Sequence, residues 1–464
     1  MPIVFARLLS TLFLLSLFVF AARADEVDDY VRAVLAERHI PGTAIAVVKN
    51  GRLVKAQGYG VASVEFDVPV TTETVFEIGS VSKQMTAAAV LLLVEEGKVS
   101  LDEKISKYLA NLPDSWKDVT IRHLLTHTSG IRNYTGLPGF ELSRRLKRDE
   151  FIKTLSTHPL DFATGERYAY SNSGYNLLGF IIESASGRPF WDFMRERLFL
   201  PLKMTKTGDR DPRFVIKNRA TGYEWTNGAL AGRDYDLTDV FAAGAVTSTV
   251  LDLVKWDAAW RGDALLKKET KAAAWTPVTL NDKTTYPYGF GWRLSDLRGR
   301  RLIAHSGQTA GFGASISRFT DDDLTVIALT NLGEIGMGTL IAQGVAKIYL
   351  PAVSLKALKA AEDARPELSG KVKAALAARM ENKIDAELFA AELARALATE
   401  RAKAAARRVG GFGAVEKLTF VGSETVSGRT IHRYLAKTPK RLFLWRFVFD
   451  SEGKIAEMTL EEEE

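Results

Sequence analysis

The sequence predicts an α+β protein in two parts: a discontinuous antiparallel sheet interrupted by a helical insertion, then a smaller α+β domain. Three observations carry this expectation. Asn50-Gly51 lies between two β-rich runs near the start, β-rich runs return only from about residue 289, and past Pro351 the composition turns to Ala, Lys, Arg and Glu. At 464 residues the chain exceeds one typical domain, and 46% hydrophobic with 25% charged residues is an ordinary globular composition.

The N-terminus stands apart from the rest. Arg7 precedes the apolar run Leu8 to Ala21, which stops at Ala22-Arg23-Ala24 before Asp25 and Glu26. A basic n-region, a short apolar stretch and an A-x-A site form the pattern of a secretory signal peptide over residues 1–24, too short for a membrane anchor. The expected localisation is periplasmic or secreted, with no membrane span after cleavage. Losing Arg7 and Arg23 lowers the net charge of +6 by two. So small an imbalance, with its basic residues scattered, argues against nucleic-acid binding. The chain has no cysteine, which excludes disulfides, a thiol nucleophile and thiolate metal sites.

Asp25 to His39 carries Val27, Val31, Val34 and Leu35 at helical spacing. Gly42 to Val48 and Leu53 to Tyr59 then flank Asn50-Gly51, the dipeptide suited to a tight type I′ hairpin. An apolar helix follows Ser80 and ends at Gly97. Short amphipathic segments at Ile105–Leu109, Ile121–Leu125 and Phe151–Leu155 mark a helical and irregular region from about Lys98 to Arg210. Strands are expected at Gly289–Leu294, Leu302–His305, Gly313–Phe319 and Leu324–Thr330, with a closing helix at Leu340–Leu350. Beyond that, Lys371 to Arg408 has a helix-like stripe of Ile384, Leu388, Leu393 and Leu397, read mainly as a solvated helix. Four short strands follow: Leu418–Val421, Thr430–Leu435, Leu442–Phe449 and Ile455–Leu460.

Candidate chemistry centres on Gly79-Ser80-Val81-Ser82-Lys83. A serine where a turn becomes a helix has its hydroxyl near unpaired N–H groups and the positive end of the macrodipole. Lys83 lies one turn further along the same face, where a neutral amine could take the Ser80 proton. Ser-x-x-Lys also occurs at Ser451 to Lys454, so the spacing alone is weak. Tyr170-Ser171-Asn172 offers a proton relay and an amide that could hold both Lys83 and a substrate amide. His305-Ser306-Gly307-Gln308 ends an expected strand whose edge could carry a substrate backbone and one oxyanion donor. Each segment also has a plain structural account: a helix cap, a turn and a buried histidine.

Together these segments resemble the penicillin-recognising serine hydrolases, the family of class C β-lactamases, D,D-peptidases, D-aminopeptidases and β-lactamase-like esterases. The matching residues are Ser80-Val81-Ser82-Lys83, Tyr170-Ser171-Asn172 and His305-Ser306-Gly307, in the family's order. Flanking text matches at Gly58-Tyr59-Gly60, Ile121 to Gly130, Ala243-Gly244 and Tyr288 to Trp292. The resemblance implies a serine hydrolase domain over 25–355 and leaves 356–464 as a small α+β C-terminal domain. It implies an antiparallel sheet with helices on both faces plus an all-helical subdomain. Ser80 becomes the acylated nucleophile, Lys83 its base, and Tyr170 the donor to the leaving group. Asn172, His305, Gly307 and Gln308 become substrate-binding or oxyanion residues. Whether Lys83 or Tyr170 takes the first proton stays open.

His305 stands where class C β-lactamases usually have lysine. A largely neutral imidazole should bind a substrate carboxylate less firmly. The expectation is therefore cleavage of a D-amino-acid peptide or small ester through an acyl-enzyme, with a class C-like β-lactamase as the alternative. A non-hydrolytic penicillin-binding or sensor protein is the reading of another class. His123 and His127 lack the His-Glu-x-x-His pattern, and there is no phosphate loop, dinucleotide fingerprint or Gly-x-Ser-x-Gly elbow. No metal and no cofactor are expected. The expected partner is a small-molecule or peptide substrate, and the sequence carries no mark of an oligomeric state.

Overall fold

The computed structural model describes residues 26–138, 147–426 and 428–463. The expected signal peptide, residues 1–24, lies outside the described residues. Among those described, no helix is long and apolar enough to cross a membrane. The chain divides into two compact units between Tyr349 and Leu350.

The first unit is built on a seven-stranded sheet. Its order is Arg293–Leu297, Arg300–Thr309, Phe312–Phe319, Leu324–Thr330, Gly42–Lys49, Arg52–Ser63 and Val68–Pro69, every neighbouring pair antiparallel. The sheet is discontinuous in sequence, because Gly42–Lys49 pairs with Leu324–Thr330 from Thr43↔Thr330 to Lys49↔Leu324. The hairpin turn holds Asn50 at φ 50 and Gly51 at φ 69, the positive values a type I′ turn demands. Phe312–Phe319 and Leu324–Thr330 are buried at every position, and Gly42–Lys49 at all but its last. Strands buried on both faces require cover on both. Helices at 26–37, Val250–Arg261 and Met337–Tyr349 belong to that cover. The architecture is α+β, an antiparallel sheet flanked by helices, with a helical lobe inserted between its strands.

The helical lobe holds Ile121–Leu125, Arg148–Ser156, Asn172–Ser186 and Phe190–Met194. Ser82–Glu95 runs through the centre of the unit, with every residue from Ser82 to Leu93 buried. Its Ala87 to Val94 stretch is apolar on all sides, so it has no solvent face to keep polar. Leu124, Phe151, Leu178, Ile181 and Phe193 share its core. Gly97, at φ +70, follows the last turn, where a left-handed residue ends a helix cheaply.

Two expectations need correction. Gly289–Leu294 is not a strand: pairing starts at Arg293, because Gly291 bends the chain at φ +75. A Cβ on Gly291 would lie 2.7 Å from the Lys83 carbonyl oxygen, so the approach of two backbones dictates that bend. The Lys371–Arg408 stripe breaks into Pro366–Met380, Ala391–Leu397 and Glu400–Gly410, leaving Ile384 and Leu388 outside any helix. Asn382, at φ 59, turns the chain after the first helix. A further hairpin, Gly222–Thr226 with Ala229–Arg233, turns at Asn227-Gly228 and was not anticipated.

The second unit is a four-stranded antiparallel sheet, Lys417–Val426, Arg429–Lys437, Leu442–Phe449 and Ile455–Glu463 in that order, accompanied by the three helices just named. Its core gathers Val372, Leu376, Phe389, Tyr434, Phe443, Phe447 and Ile455.

Candidate active site

Ser80 sits in the single 3-10 turn Gly79–Val81, between the Phe76–Glu77 strand and the Ser82–Glu95 helix. Gly79 takes φ +50, and a Cβ there would lie 2.5 Å from the Gln308 nitrogen. A Cβ on Gly307 would lie 1.9 Å from the Ile78 oxygen and 2.9 Å from the Ser80 nitrogen. Two glycines therefore let the turn press against the Arg300–Thr309 strand, bringing the backbone of Ser80 and Gln308 side by side. Glu77 and Thr309 clamp the same junction. The Thr309 hydroxyl donates to Glu77 at 2.7 Å and Arg210 donates to it at 3.1 Å. Burial pushes the Glu77 carboxyl up to about 7, opposed by these partners.

The Ser80 hydroxyl meets two groups. Lys83 Nζ lies 3.0 Å from Ser80 Oγ, and the Tyr170 hydroxyl donates to the same oxygen at 2.7 Å. Lys83 Nζ also donates to Asn172 Oδ1 at 2.8 Å and to the Ala243 carbonyl at 2.7 Å. Neither of those partners can donate in return. A neutral amine has two N–H bonds and one lone pair, so both donors are spent and the lone pair faces Ser80. Burial, aided by the Arg293 charge, holds the Lys83 pKa well below the usual lysine value. Burial pushes Tyr170 the other way, far up, so its O–H is kept.

Asn172 opens the Asn172–Ser186 helix and is fixed by its own N–H, which donates to Asn133 Oδ1 at 3.0 Å. The preceding Ser171 N–H donates to His127 Nδ1 at 3.1 Å. His127 and His123 do not converge on a common point. His123 Nδ1 accepts from the Thr120 N–H, closing a helix N-cap, and no cluster of metal-ligating side chains occurs among the described residues.

His305 is buried and both its nitrogens are taken. Nδ1 lies 2.6 Å from the Ser306 carbonyl, an acceptor, so Nδ1 carries the proton. Nε2 then accepts from the Tyr288 hydroxyl at 3.0 Å, and that hydroxyl accepts from His127 Nε2 at 3.1 Å. The chain His127–Tyr288–His305 closes only with both imidazoles neutral. Burial, with Lys83 and Arg293 nearby, lowers His305 to about 3, and burial likewise lowers His127 well below 6.5. Between about 3 and 6.5 the unfolded chain binds the extra proton, so stability rises with pH and is lost as pH falls through that window. Urea unfolding at pH 7 and pH 5 should show wild type losing about 2 kcal/mol more than His305→Gln over this interval. Equal losses would mean that His305 is charged in the folded state.

Sequence reasoning missed Arg293, Tyr288 and the Ala243 carbonyl. The cavity beside Ser80, about 240 Å³, is lined by Ser80, Tyr170, Arg293, Gly307, Gln308 and Thr339 among others. Arg293 is exposed, lies with its guanidinium carbon 5.7 Å from the Tyr170 ring centre, and has no ion pair among the described residues. A cation in the strand paired with the His305 strand was the available signal.

Comparison with known proteins agrees with this architecture. Penicillin-binding protein 4* of Bacillus subtilis (strain 168) is 32% identical over 321 residues, covering 65% of this chain and 70% of that protein. Protein flp of Staphylococcus aureus (strain MW2) is 26% identical over 319 residues, and the match spans 66% of this chain and 63% of its length. Among solved structures, the octameric penicillin-binding protein homologue from Pyrococcus abyssi superposes with TM-score 0.65 at 23% identity, covering 94% of this chain and 100% of that one. D-amino acid amidase from Ochrobactrum anthropi SV3 superposes with TM-score 0.60 at 25% identity, covering 71% of this chain and 98% of the amidase. The family model described as Beta-lactamase matches residues 27–346, from the first described helix to the helix that closes the sheet. The chain belongs to the Beta-lactamase family of serine hydrolases.

Proposed function

We propose that this protein is an exported serine hydrolase, periplasmic or secreted, that cleaves a D-amino-acid peptide or a small ester through an acyl-enzyme on Ser80. The observation that carries the reading is the three-way contact of Ser80 Oγ with the buried Lys83 Nζ and the Tyr170 hydroxyl, at a cavity that Ser80 and Tyr170 line. Lys83 takes the Ser80 proton as Oγ attacks the carbonyl carbon. The Ser80 and Gln308 N–H groups receive the oxyanion. Tyr170 gives its proton to the leaving group, and the same groups then activate water to release the acid. The opposed pKa directions of Lys83 and Tyr170 support this division, a base kept neutral and an acid kept protonated. Export rests on the pattern of residues 1–24. Similarity to a D-amino acid amidase and to penicillin-binding proteins favours the D-amino-acid substrate class.

Arg293 favours substrates that carry a carboxylate on the leaving side. His305 has no free nitrogen to offer, so the guanidinium beside the cavity supplies the cation. This also keeps a class C-like β-lactamase activity as the second reading, since penicillins bear such a carboxylate. Arg293→Gln should raise KM for a D-alanyl-D-alanine peptide by roughly 10- to 100-fold, the worth of a lost charged hydrogen bond, while p-nitrophenyl ester turnover changes less than threefold. Equal effects on both substrates would remove Arg293 from recognition. Steady-state turnover across D-peptides, esters and β-lactams tests the function itself. A single stoichiometric acylation without turnover on any of them would replace the hydrolase by a penicillin-binding or sensor role.

A further inference from the structure

The second unit carries a surface cavity of about 560 Å³ on one face of its four-stranded sheet, a size usual for small-molecule sites. Leu358, Leu435 and Leu442 supply its apolar wall, packed against Leu355, Val421 and Leu444. Five cationic residues share the lining: Lys356, Lys417, Lys437, Lys440 and Arg441. The described lining contains no acidic side chain. Strand register puts part of this charge together. Lys417 pairs directly with Lys437, and Lys437 with Leu442, so all three lie on the face opposite Tyr434, Ala436 and Phe443 of the core. Like charges directly opposite across two strands destabilise a sheet. The chain offsets this only in part. Lys437 has Glu416 at 3.9 Å and Arg441 has Glu462 at 3.4 Å, while Lys356, Lys417 and Lys440 have no ion pair among the described residues. All four lysines are exposed, so a ligand from water can reach their charges. A concave site lined by one sign of charge on an apolar wall concentrates ions of the opposite sign.

We propose that this cavity binds an amphiphile with a phosphate head and an apolar tail. The lysines hold the head, and Leu358, Leu435 and Leu442 take the tail. Phosphate suits them better than carboxylate, because a phosphate monoester carries nearly two charges at pH 7 and three strong acceptor oxygens. Lysine meets such a group as a point charge, without the fixed fork that arginine brings to a carboxylate. A free alkyl phosphate and an anionic lipid in a bilayer present the same head, and experiment separates the two sources. Every lining residue belongs to the second unit and none to the groups around Ser80, so the site stands or falls independently of the hydrolase reading.

Isothermal titration calorimetry on the full chain tests this with decyl phosphate below its micelle concentration, inorganic phosphate, decanoate and decyltrimethylammonium. Decyl phosphate should bind at one site per chain, about tenfold or more tighter than inorganic phosphate or decanoate, with decyltrimethylammonium silent. Added salt should weaken it, because exposed charges are screened. Lys417→Gln combined with Lys437→Gln should weaken decyl phosphate by about tenfold or more, at roughly 1 kcal/mol for each cation lost. Lys268→Gln combined with Lys373→Gln removes the same charge from exposed positions elsewhere and should leave binding within about threefold, as should Arg293→Gln in the Ser80 cavity. Vesicles of phosphatidylcholine and phosphatidic acid separate the sources: capture that Lys417→Gln with Lys437→Gln abolishes assigns a lipid in a bilayer, and any other result assigns a free amphiphile. No decyl phosphate binding at millimolar concentration, an affinity equal to that of inorganic phosphate or decanoate, equal weakening by the two double variants, or loss of binding in Arg293→Gln would each overturn the proposal.

Discussion

Ser80→Ala should abolish covalent labelling by a fluorophosphonate or a fluorescent penicillin and lower turnover by roughly 10³-fold or more. The substitution removes the one oxygen on which Lys83 Nζ and the Tyr170 hydroxyl converge. It leaves the junction of Gly79 with Gln308 intact, so the backbone N–H groups proposed to receive the oxyanion and the cavity keep their shape. Residual turnover above water would then report what positioning and oxyanion stabilisation supply without a nucleophile. The Tyr170 hydroxyl loses its partner inside the protein but lines the cavity, where water can take that place, so a thermal melt should move little. Intact-mass spectrometry after incubation with substrate gives the decisive reading. An adduct on Ser80→Ala equal to that on wild type would place the acyl group elsewhere and end the reading.

How much of this was legible in the sequence depends on how local each cause is. The Asn50-Gly51 turn was readable because positive φ at two adjacent residues is a demand those residues meet by themselves. Asn227-Gly228 carries the same signal, but the strands it joins, Gly222–Thr226 and Ala229–Arg233, are short and contain further glycines, so the pattern around it is weak. The bend at Gly291 could not be read, since its cause is the Lys83 carbonyl more than 200 residues away in the chain. The same division holds in the candidate site. Ser80, Lys83, Tyr170 and Asn172 announce themselves by side-chain type and spacing, and the structure brings them within hydrogen-bond reach of one another. The Ala243 carbonyl that accepts one Lys83 N–H is a backbone atom, and any residue would supply it. Tyr288 was visible only as flanking text, because its work of joining His127 to His305 exists only after folding. His305, expected among the substrate-binding or oxyanion residues, lines the cavity beside Ser80 while its two nitrogens are engaged by Tyr288 and Ser306, and the exposed cation of that lining is Arg293.

Lys83→Met should lower acylation by roughly 10²- to 10⁴-fold, the usual worth of a general base, with the fold retained. Methionine fills most of the buried volume but leaves Asn172 Oδ1 and the Ala243 carbonyl without their donor. The pH profile separates a base from a mere spacer. Because the depressed pKa makes neutral Lys83 the resting form, kcat/KM in wild type should rise with pH through a limb well below the usual lysine value and stay level above it. Stability should follow the same group. The unfolded lysine holds its proton up to about 10.5 while the folded one has lost it, so wild-type stability rises with pH across that interval. Lys83→Met has no proton to lose, and both the activity limb and this part of the stability slope should vanish together. Stopped-flow acylation and urea unfolding, each followed from pH 5 to 10, make the comparison. A variant that keeps the acid limb, or loses less than threefold in rate, would hand the proton to Tyr170 or to water.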